Sequence, residues 1–462
     1  MSIDVNDLSV WLPGRGVVLG PLSFSVAGLT LLTGRSGAGG STVLRALAGT
    51  LPRGALVRGA RPADSGTWIQ LVEEVRALDE LRAATAVTTR IPGQEALLLL
   101  DQPLAGLPRR DHQRAVEVIA QAGRGGVSVL WAEHELGTAV PVADQVLELP
   151  TTTGAARIEA RDTRTWTPRT LPLPPVPALA RALGMPQDSW WDPACVAQHP
   201  RVAGAVPRAP RGAPEPLTGD GSPVRTAPAA RTRLPFDLVL EPGECLGITT
   251  TAADLGDAVE VAGRVVALTA GEKAPRRPVH WPHDVPLARL VQAWRRTTGT
   301  HPDAVAEAAT RLGVRGEPHL TLRQHSRGEQ QLLCAALLLA SARPEVLVSP
   351  EQGLDPAGRR RLARVLSTGA ASRGACTVLV SDDPELLARA CHRVLVLEGT
   401  GSHSRSGSDS GPSSDAGAGH RAVLGPPVLT ADQWPVPPAL RGLGARALRV
   451  VDVTGDREEV AL

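Results

Sequence analysis

A glycine-rich loop near the start of the chain has the residue types that bind phosphate. It follows an apolar segment at 30–33, precedes a predicted helix over 43–48, and consists of Gly34, Arg35, Ser36, Gly37, Ala38, Gly39, Gly40, Ser41 and Thr42. Between a strand and a helix, backbone N–H groups of such a loop surround phosphate oxygens, and the Ser41 hydroxyl can bind Mg²⁺. The pattern GxxxxGK[ST] is met except at the lysine, which Gly40 replaces. A loop of this composition can also be a simple turn.

Two later segments place polar residues directly after apolar strands. Residues 96–101 predict a buried strand that ends in the carboxylate of Asp101, and Gln102 follows it. Residues 127–131 predict a second strand, and His134 lies just beyond its end. The carboxyl ends of parallel strands meet at the edge of the sheet where ligands bind. A single histidine there is more often a surface residue, so its position after the loop and the carboxylate is what favours a functional role.

In this order the segments resemble the nucleotide-binding domain of ABC (ATP-binding cassette) ATPases. The resemblance makes 34–42 the Walker A motif, 97–101 the Walker B motif and His134 the switch histidine. It makes Gln70 the candidate Q-loop residue and Trp11 the candidate aromatic residue that stacks on adenine. The Gly40–Asp101 spacing is much shorter than in the family and contains no signature-like stretch. Residues 1–152 are therefore predicted to be a cassette that lacks most of its helical subdomain.

Residues 231–398 resemble a second cassette with the opposite losses. The signature candidates, within 320–331, are Ser326, Arg327, Gly328 and Glu329, and the D-loop candidate is Asp355. In the same alignment Ser349 stands at the catalytic glutamate and Asp382 at the switch histidine. Residues 250–258 take the place of the phosphate loop but have neither its glycines nor its lysine. This domain is not expected to bind a triphosphate.

The two sets of losses are complementary. In ABC dimers, each ATP lies between the Walker motifs of one domain and the signature of the other. Here the retained Walker motifs belong to one domain and the retained signature to the other, whereas random decay would scatter the losses. The resemblance predicts an α/β fold with two P-loop NTPase-like (ABC ATPase) domains in tandem. They would form an internal pseudo-dimer with one composite nucleotide site.

The resemblance implies ATP and Mg²⁺ as ligands, with Ser41 and Asp101 on the metal and Gln102 and His134 at the catalytic positions. Gln102 replaces the glutamate that polarises water in the family, and an amide cannot accept a proton at neutral pH. Gly40 removes a charged contact to the phosphates, which leaves Arg35 as the only cation in the loop. Weak or absent ATP hydrolysis is therefore predicted.

The rest of the chain predicts connecting segments. Residues 153–230 are rich in Pro and Arg with one short helix, 399–422 form a Gly/Ser-rich linker, and 423–462 form a C-terminal tail. The 462 residues are 42% hydrophobic and 21% charged, which is typical of globular domains. A net charge of +2 argues against a nucleic-acid partner.

Location and partners follow from the same observations. The five cysteines show no CxxC pair, so no disulfide partner is expected. The acidic N-terminus and the absence of a long apolar run favour the cytoplasm, with peripheral attachment at the inner face of the cell membrane as an option. The resemblance implies membrane permease subunits as partners. The alternative is a pseudo-ATPase that acts outside transport, as a regulator or protein-interaction module.

Overall fold

In the computed structural model, twenty-nine helices and strands lie in the part of the chain that the structure describes. That part comprises residues 2–60, 66–73, 75–88, 95–150, 156–203, 215–216, 240, 243–250, 255–270, 281–341, 343–373, 376–398 and 421–425.

The first domain is built on two sheets. Its elements are β1 (Ser2–Leu12), β2 (Gly16–Ala27), β3 (Leu29–Thr33), α1 (Gly40–Ala48), β4 (Leu56–Ala60), β5 (Trp68–Glu73), α2 (Leu78–Thr88), β6 (Ala96–Asp101), α3 (Arg109–Arg124), β7 (Ser128–Ala132), α4 (Leu136–Ala139) and β8 (Gln145–Glu148). β4, β1 and β2 form an antiparallel sheet, while β8, β3, β7, β6 and β5 form a parallel one in that order. β3 and β7 are buried throughout, because apolar cores cover both faces of the parallel sheet.

Residues 156–203 are more ordered than the predicted linker. They contain β9 (Ala156–Arg157), β10 (Arg161–Asp162), α5 (Pro175–Ala182), α6 (Pro193–Gln198) and α7 (Pro200–Ala203). β9 and β10 extend the two sheets of the first domain. The stacked rings of Trp166 and Trp191 join its apolar core, with centroids 5.7 Å apart. The proline content suggested a linker, but the buried tryptophans make this segment part of the first domain.

The second domain repeats the parallel sheet. Its elements are β11 (Glu215–Pro216), β12 (Cys245–Thr250), α8 (Gly256–Ala270), α9 (Leu287–Thr298), α10 (Pro302–Arg311), α11 (Arg327–Leu339), β13 (Glu345–Val348), α12 (Pro356–Arg373), β14 (Thr377–Val380), α13 (Pro384–Ala390), β15 (Arg393–Glu398) and β16 (Arg421–Gly425). The order β15, β12, β14, β13 matches β8, β3, β7, β6 of the first domain. The predicted tandem of P-loop NTPase-like domains is confirmed.

β16 changes the expected C-terminal organisation. It pairs antiparallel with β15, and Val423 lies opposite Val396. The strand starts inside the segment that composition predicted as linker and continues into the predicted tail. Residues 399–420 and 426–462 lie outside the described residues, as do 251–254 of the second phosphate-loop position. Among the described helices, none is long and apolar enough to cross a membrane.

Candidate nucleotide site

The phosphate loop connects β3 to α1 and ends at the helix N-terminus. Gly37 and Gly39 have φ values of 86° and 100°, a region that L side chains rarely adopt, so the loop needs glycine at both positions. α1 starts at Gly40 without an acidic residue in its first turn. The free N–H groups and the positive end of the helix dipole are therefore available to an anion.

A hydroxyl and a carboxylate meet beside this helix. The Ser41 hydroxyl donates to Asp101 Oδ1 at 3.1 Å. Burial raises the pKa of Asp101, and the Ser41 hydrogen bond and the Arg45 charge partly oppose that rise. Oxygen donors of this kind suit Mg²⁺, which usually takes one or two protein ligands and completes its shell with phosphates and water. The pair therefore fits a metal that arrives with a nucleotide.

Two polar atoms at the sheet edge lack partners within the described residues. Gln102 has a left-handed backbone, with φ of 48°, and its Oε1 is buried without a hydrogen bond. The Nδ1 atom of His134 is also buried without a partner. Burial lowers the pKa of His134, so the ring is neutral at pH 7. Unpaired buried polar atoms are costly, which is consistent with a ligand or water that completes them.

Glu133 is a buried carboxylate on the same edge. Its Oε1 accepts from the backbone N–H of His134 at 2.8 Å, and Trp131 donates its indole N–H to Oε2 at 3.4 Å. Burial, reinforced by the charge of Glu135, raises the pKa of Glu133 to about 7. A carboxylate with this pKa is suited to take up and release protons at neutral pH.

The signature candidates approach the loop from the second domain. Ser326 caps the N-terminus of α11 and forms a capping box with Glu329: the Ser326 N–H donates to Glu329 Oε2 at 2.8 Å. A Cβ built on Gly328 would lie 3.3 Å from Ser36 Oγ of the first domain. Asp355 accepts from the Ser36 N–H at 2.7 Å. The two domains therefore meet with the motifs facing each other.

A cleft of about 390 Å³ lies between them. The predicted residues that line it are Gly34, Arg35, Ser36, Gly37, Gly39, Gly40, Ser41, Thr42, Asp101, Gln102, His134, Ser326, Gly328 and Glu329. Ala38, Arg327 and Asp355 lie next to it without lining it. This arrangement confirms the internal pseudo-dimer.

Two predicted residues lie elsewhere. Gln70 is in the middle of β5, opposite Leu98, whereas Glu73 is opposite Asp101 at the strand end. Glu73 Oε1 lies 2.6 Å from Arg45 Nε. Trp11 is 39% exposed and does not line the cleft, whereas Leu12 does. The alternation of side chains along β1 sends neighbours to opposite faces, so an offset of one residue decides the assignment.

Sequence reasoning did not single out several other lining residues: Leu12, Pro13, Arg15, Arg45, Arg53 and Arg323. Arg45 lies one helical turn after Ser41, a spacing that puts both side chains on one face of α1. That signal was present in the sequence. Arg15 and Arg323 come from a hairpin and from the opposite domain, and no local pattern brings them together.

Next to the cleft, charged side chains of the two domains pair directly. Arg109 donates from Nη2 to Asp383 Oδ2 at 2.7 Å and from its backbone N–H to Asp382 Oδ2 at 3.0 Å. Arg359 pairs with Glu135 of the first domain, and its Nη1 lies 3.4 Å from Asp383 Oδ2. We call these five residues the interdomain ion network. Burial alone would raise the pKa of Glu135, but Arg359 and Arg109 lower it to about 2.

Glu351 borders this network without a cationic partner. Ser381 donates to Glu351 Oε1 at 2.7 Å, while Oε2 is buried and has no hydrogen bond among the described residues. Burial, with the charges of Asp383 and Asp382, raises the pKa of Glu351 to about 8. The carboxyl is therefore mostly protonated at neutral pH.

Comparison with known proteins agrees with this geometry. No family model matches the chain. It is 28% identical over 376 residues to a protein assigned as an ABC transporter ATP-binding protein in Streptomyces coelicolor, and 29% identical over 369 residues to one in Streptomyces avermitilis. Each match covers 65% of this chain and 63% of the relative. The chain is also 35% identical over 97 residues to the thiamine import ATP-binding protein ThiQ of Cereibacter sphaeroides. That match covers 21% of this chain and 42% of ThiQ.

Two solved structures that match the chain share little sequence with it. An archaeal ribosome recycling factor, aABCE1, in complex with the ribosomal stalk protein aP1 is 15% identical, with a TM-score of 0.41 and coverage of 82% of this chain and 86% of that one. An RNase-L inhibitor is 15% identical, with a TM-score of 0.42 and coverage of 86% and 88%.

Proposed function

We propose that this chain, which is grouped with the ABC ATP-binding proteins, binds ATP and Mg²⁺ in a single composite site and hydrolyses ATP slowly or not at all. The observation that carries the proposal is the cleft that the phosphate loop of one domain and the signature residues of the other line together. A nucleoside triphosphate is the ligand that needs both surfaces, since its phosphates require the loop and its terminal phosphate lies closest to the opposite domain.

The binding roles follow from the residues present. Backbone N–H groups within 34–40, other than those of Ser36 and Ala38, hold the phosphates together with the N-terminus of α1. Ser41 and Asp101 are the residues that would hold Mg²⁺, which would supply positive charge to the phosphates. Ser326, fixed by its capping box, presents its hydroxyl from the second domain. Asp355 holds the loop in place through the Ser36 N–H.

Slow hydrolysis follows from what these residues lack. Gln102 cannot deprotonate water, and loss of a general base costs about 10²–10⁴-fold in rate. Gly40 makes no charged contact with a phosphate. Glu133 has a suitable pKa, but its oxygens already accept hydrogen bonds from His134 and Trp131. We infer that the site binds ATP and hydrolyses it slowly or not at all.

Nucleotide affinity with and without Mg²⁺ tests the proposal. We expect Mg²⁺-dependent ATP binding by calorimetry, and its loss on Ser41→Ala or Asp101→Ala because each removes a metal ligand. Ser326→Arg should also abolish it by filling the cleft. As a matched control, Ser367→Ala removes a half-buried hydroxyl of α12 that donates to the Arg364 carbonyl, and it should leave affinity unchanged. Binding that survives the Ser41 and Asp101 variants would place the nucleotide elsewhere.

The biological role we propose is that of an ATP-binding subunit of a transporter at the cytoplasmic face of a membrane. The names of the Streptomyces relatives support it, although the chain spans only 63% of their length. Helices α9 and α10 are the helical subdomain, so we assign the permease contact to them. Affinity purification from membranes should recover a permease with the chain, and charge reversal at exposed Arg295 and Arg296 should weaken recovery. Recovery of the chain without any membrane partner would favour the regulator alternative.

A further inference from the structure

The structure has room for a side chain at position 40, where the lysine of the phosphate-loop pattern is replaced by glycine. A Cβ built on Gly40 would lie 3.9 Å from Ala132 Cβ and 3.9 Å from Leu149 Cδ1, which is ordinary van der Waals contact. Gly40 also has no positive φ. Neither crowding nor backbone geometry therefore requires glycine here. If the site binds a triphosphate, the charge that lysine would supply has to come from another residue.

Most arginines that line the cleft are already engaged or lie at its rim. The pairs formed are Arg45 with Glu73 at 2.6 Å, Arg323 with Asp284 at 2.8 Å and Arg15 with Glu329 at 3.8 Å. Arg35 and Arg53 are exposed. A paired or solvated arginine gains less from a phosphate, because it must first give up its present partner or its water.

Arg327 differs from these. It is the first residue of α11, and its side chain crosses to the first domain: Nη2 lies 3.8 Å from a Cβ built on Gly106. Within the described part of the chain it forms no hydrogen bond or ion pair.

An acceptor without a donor lies beside the same side chain. Arg327 Cγ and Gln102 Oε1 are each 3.0 Å from a Cβ built on Gly353. Gln102 Oε1 is the buried atom that has no hydrogen bond, and its residue follows Asp101 directly. A half-buried cation and an amide oxygen, neither with a hydrogen-bond partner among the described residues, therefore lie beside the end of β6, where the terminal phosphate of the proposed ligand would lie.

We propose that Arg327 supplies, from the second domain, the positive charge to the terminal phosphate that the phosphate loop lacks. The inference rests on the proposed function and extends it. A guanidinium forms charge-assisted hydrogen bonds with phosphate oxygens, and it reaches this site only when the domains are closed. The chain would then distinguish a triphosphate from a diphosphate by a residue of the domain that lacks a phosphate loop.

The distinction between ATP and ADP is the readout. Arg327→Ala should weaken Mg·ATP binding by about 10–100-fold, the effect of losing a hydrogen bond to a charged group. Binding of Mg·ADP should change by less than about twofold, because ADP has no terminal phosphate at this position. Arg327→Lys keeps the charge and should retain part of the preference. Arg364→Ala, at an exposed arginine of α12 in the same domain, should change neither affinity.

A second variant tests whether the charge can be moved. Gly40→Lys should restore the ATP preference of Arg327→Ala, because it puts a cation back into the loop. Equal loss of ATP and ADP affinity in Arg327→Ala would overturn the inference, since the residue would then act on the whole cleft. The inference would also be overturned if Gly40→Lys strengthened ATP binding in the wild type but did not restore the ATP preference of Arg327→Ala.

The two proposals fail in different ways. If Ser41→Ala abolishes ATP binding and Arg327→Ala leaves it intact, only the role of Arg327 is overturned. A wild-type chain that binds neither nucleotide overturns both. Thermal unfolding of each variant in the absence of nucleotide separates a loss of folding from a loss of binding, and Arg327→Lys provides a second folded variant.

Discussion

Two neighbouring parts of the interdomain surface use charge in opposite ways. Gln102 Oε1 and His134 Nδ1 in the cleft, and the Arg327 guanidinium next to it, have no partner among the described residues. In the interdomain ion network, Arg109 and Arg359 are paired with carboxylates of the other domain or of their own. The first part has unmet interactions and about 390 Å³ of space, whereas in the second two guanidinium groups are shared among three carboxylates.

The difference indicates how a degenerate pair of domains can stay closed. The network includes Asp382, which the resemblance aligns with a switch histidine, and Arg109, the first residue of α3. In this structure the two pair with each other across the domains, whereas the neighbouring cleft leaves about 390 Å³ of space. We infer that closure of this chain depends less on nucleotide than closure of a symmetric pair.

The largest expected effect is a gain of hydrolysis in the cleft. Gly40→Lys combined with Gln102→Glu should raise ATP turnover by about 10²–10⁴-fold, because it adds a general base and a phosphate contact. Phosphate release measures it. Ser349→Glu puts the same carboxylate at the equivalent position of the second domain and should add nothing. Wild-type turnover near 10 s⁻¹, an ordinary enzyme rate, would instead indicate that Glu133 acts as the base.

The next largest effect concerns the network. Arg109→Ala leaves Asp382 without its cation and Asp383 with Arg359 alone, and breaking a buried ion pair typically costs about 3–5 kcal/mol of unfolding free energy. Urea unfolding checks this. Arg45→Ala is the comparison in the cleft: its pair with Glu73 is partly exposed, and such pairs contribute about 0–1 kcal/mol. Similar losses in both variants would mean that the two parts do not differ as described.

A smaller effect depends on pH through Glu351. Its pKa is raised to about 8 from an ordinary value near 4.5. Between these values the folded chain keeps a proton that the unfolded chain has lost, so the free energy of unfolding falls as pH rises. Glu351→Gln has no proton to lose and should be more stable than wild type at pH 9, by on the order of 1 kcal/mol or more.

Unfolding of both proteins at pH 5.5, 7 and 9 measures the difference. Glu133 and Glu345, whose pKa values are also raised to about 7, keep part of the slope in the variant. Glu135 acts in the opposite sense: its pKa is lowered to about 2, so its contribution is present above pH 4.5 and is lost as pH falls towards 2. Identical slopes for wild type and Glu351→Gln would show that Glu351 is not buried as a neutral acid.

The sequence predicted the parts of the site that depend on order along the chain. Strand, loop and helix around Gly37 are local features, as is the carboxylate that ends β6. The Q-loop assignment of Gln70 stays a prediction: this residue lies three positions before the end of β5, and strand ends are weakly marked in apolar sequence. The ion network could not be predicted, since Arg109 and Asp383 meet only through packing of two domains. The proline-rich composition of residues 156–203 likewise predicted a linker, but their buried tryptophans make them part of the first domain.

The smallest effect compares two equivalent backbone positions. Gln102 and Ser349 each follow the strand that ends at the Walker B position, and both have left-handed backbones, with φ of 48° and 43°. This conformation costs a non-glycine residue about 1–2 kcal/mol of folding free energy, and glycine avoids that cost. Because glycine also makes the unfolded chain more flexible, about 0.5–1 kcal/mol of the gain is lost again. Ser349→Gly should therefore stabilise the fold by about 0.5–1 kcal/mol in urea unfolding and leave ATP affinity unchanged. Gln102→Gly should give the same gain in stability, but it should alter ATP affinity because it removes the unpaired Oε1 atom from the cleft. If both variants leave ATP affinity unchanged, Gln102 Oε1 has no ligand to complete, and its strain is only an inherited feature of the turn.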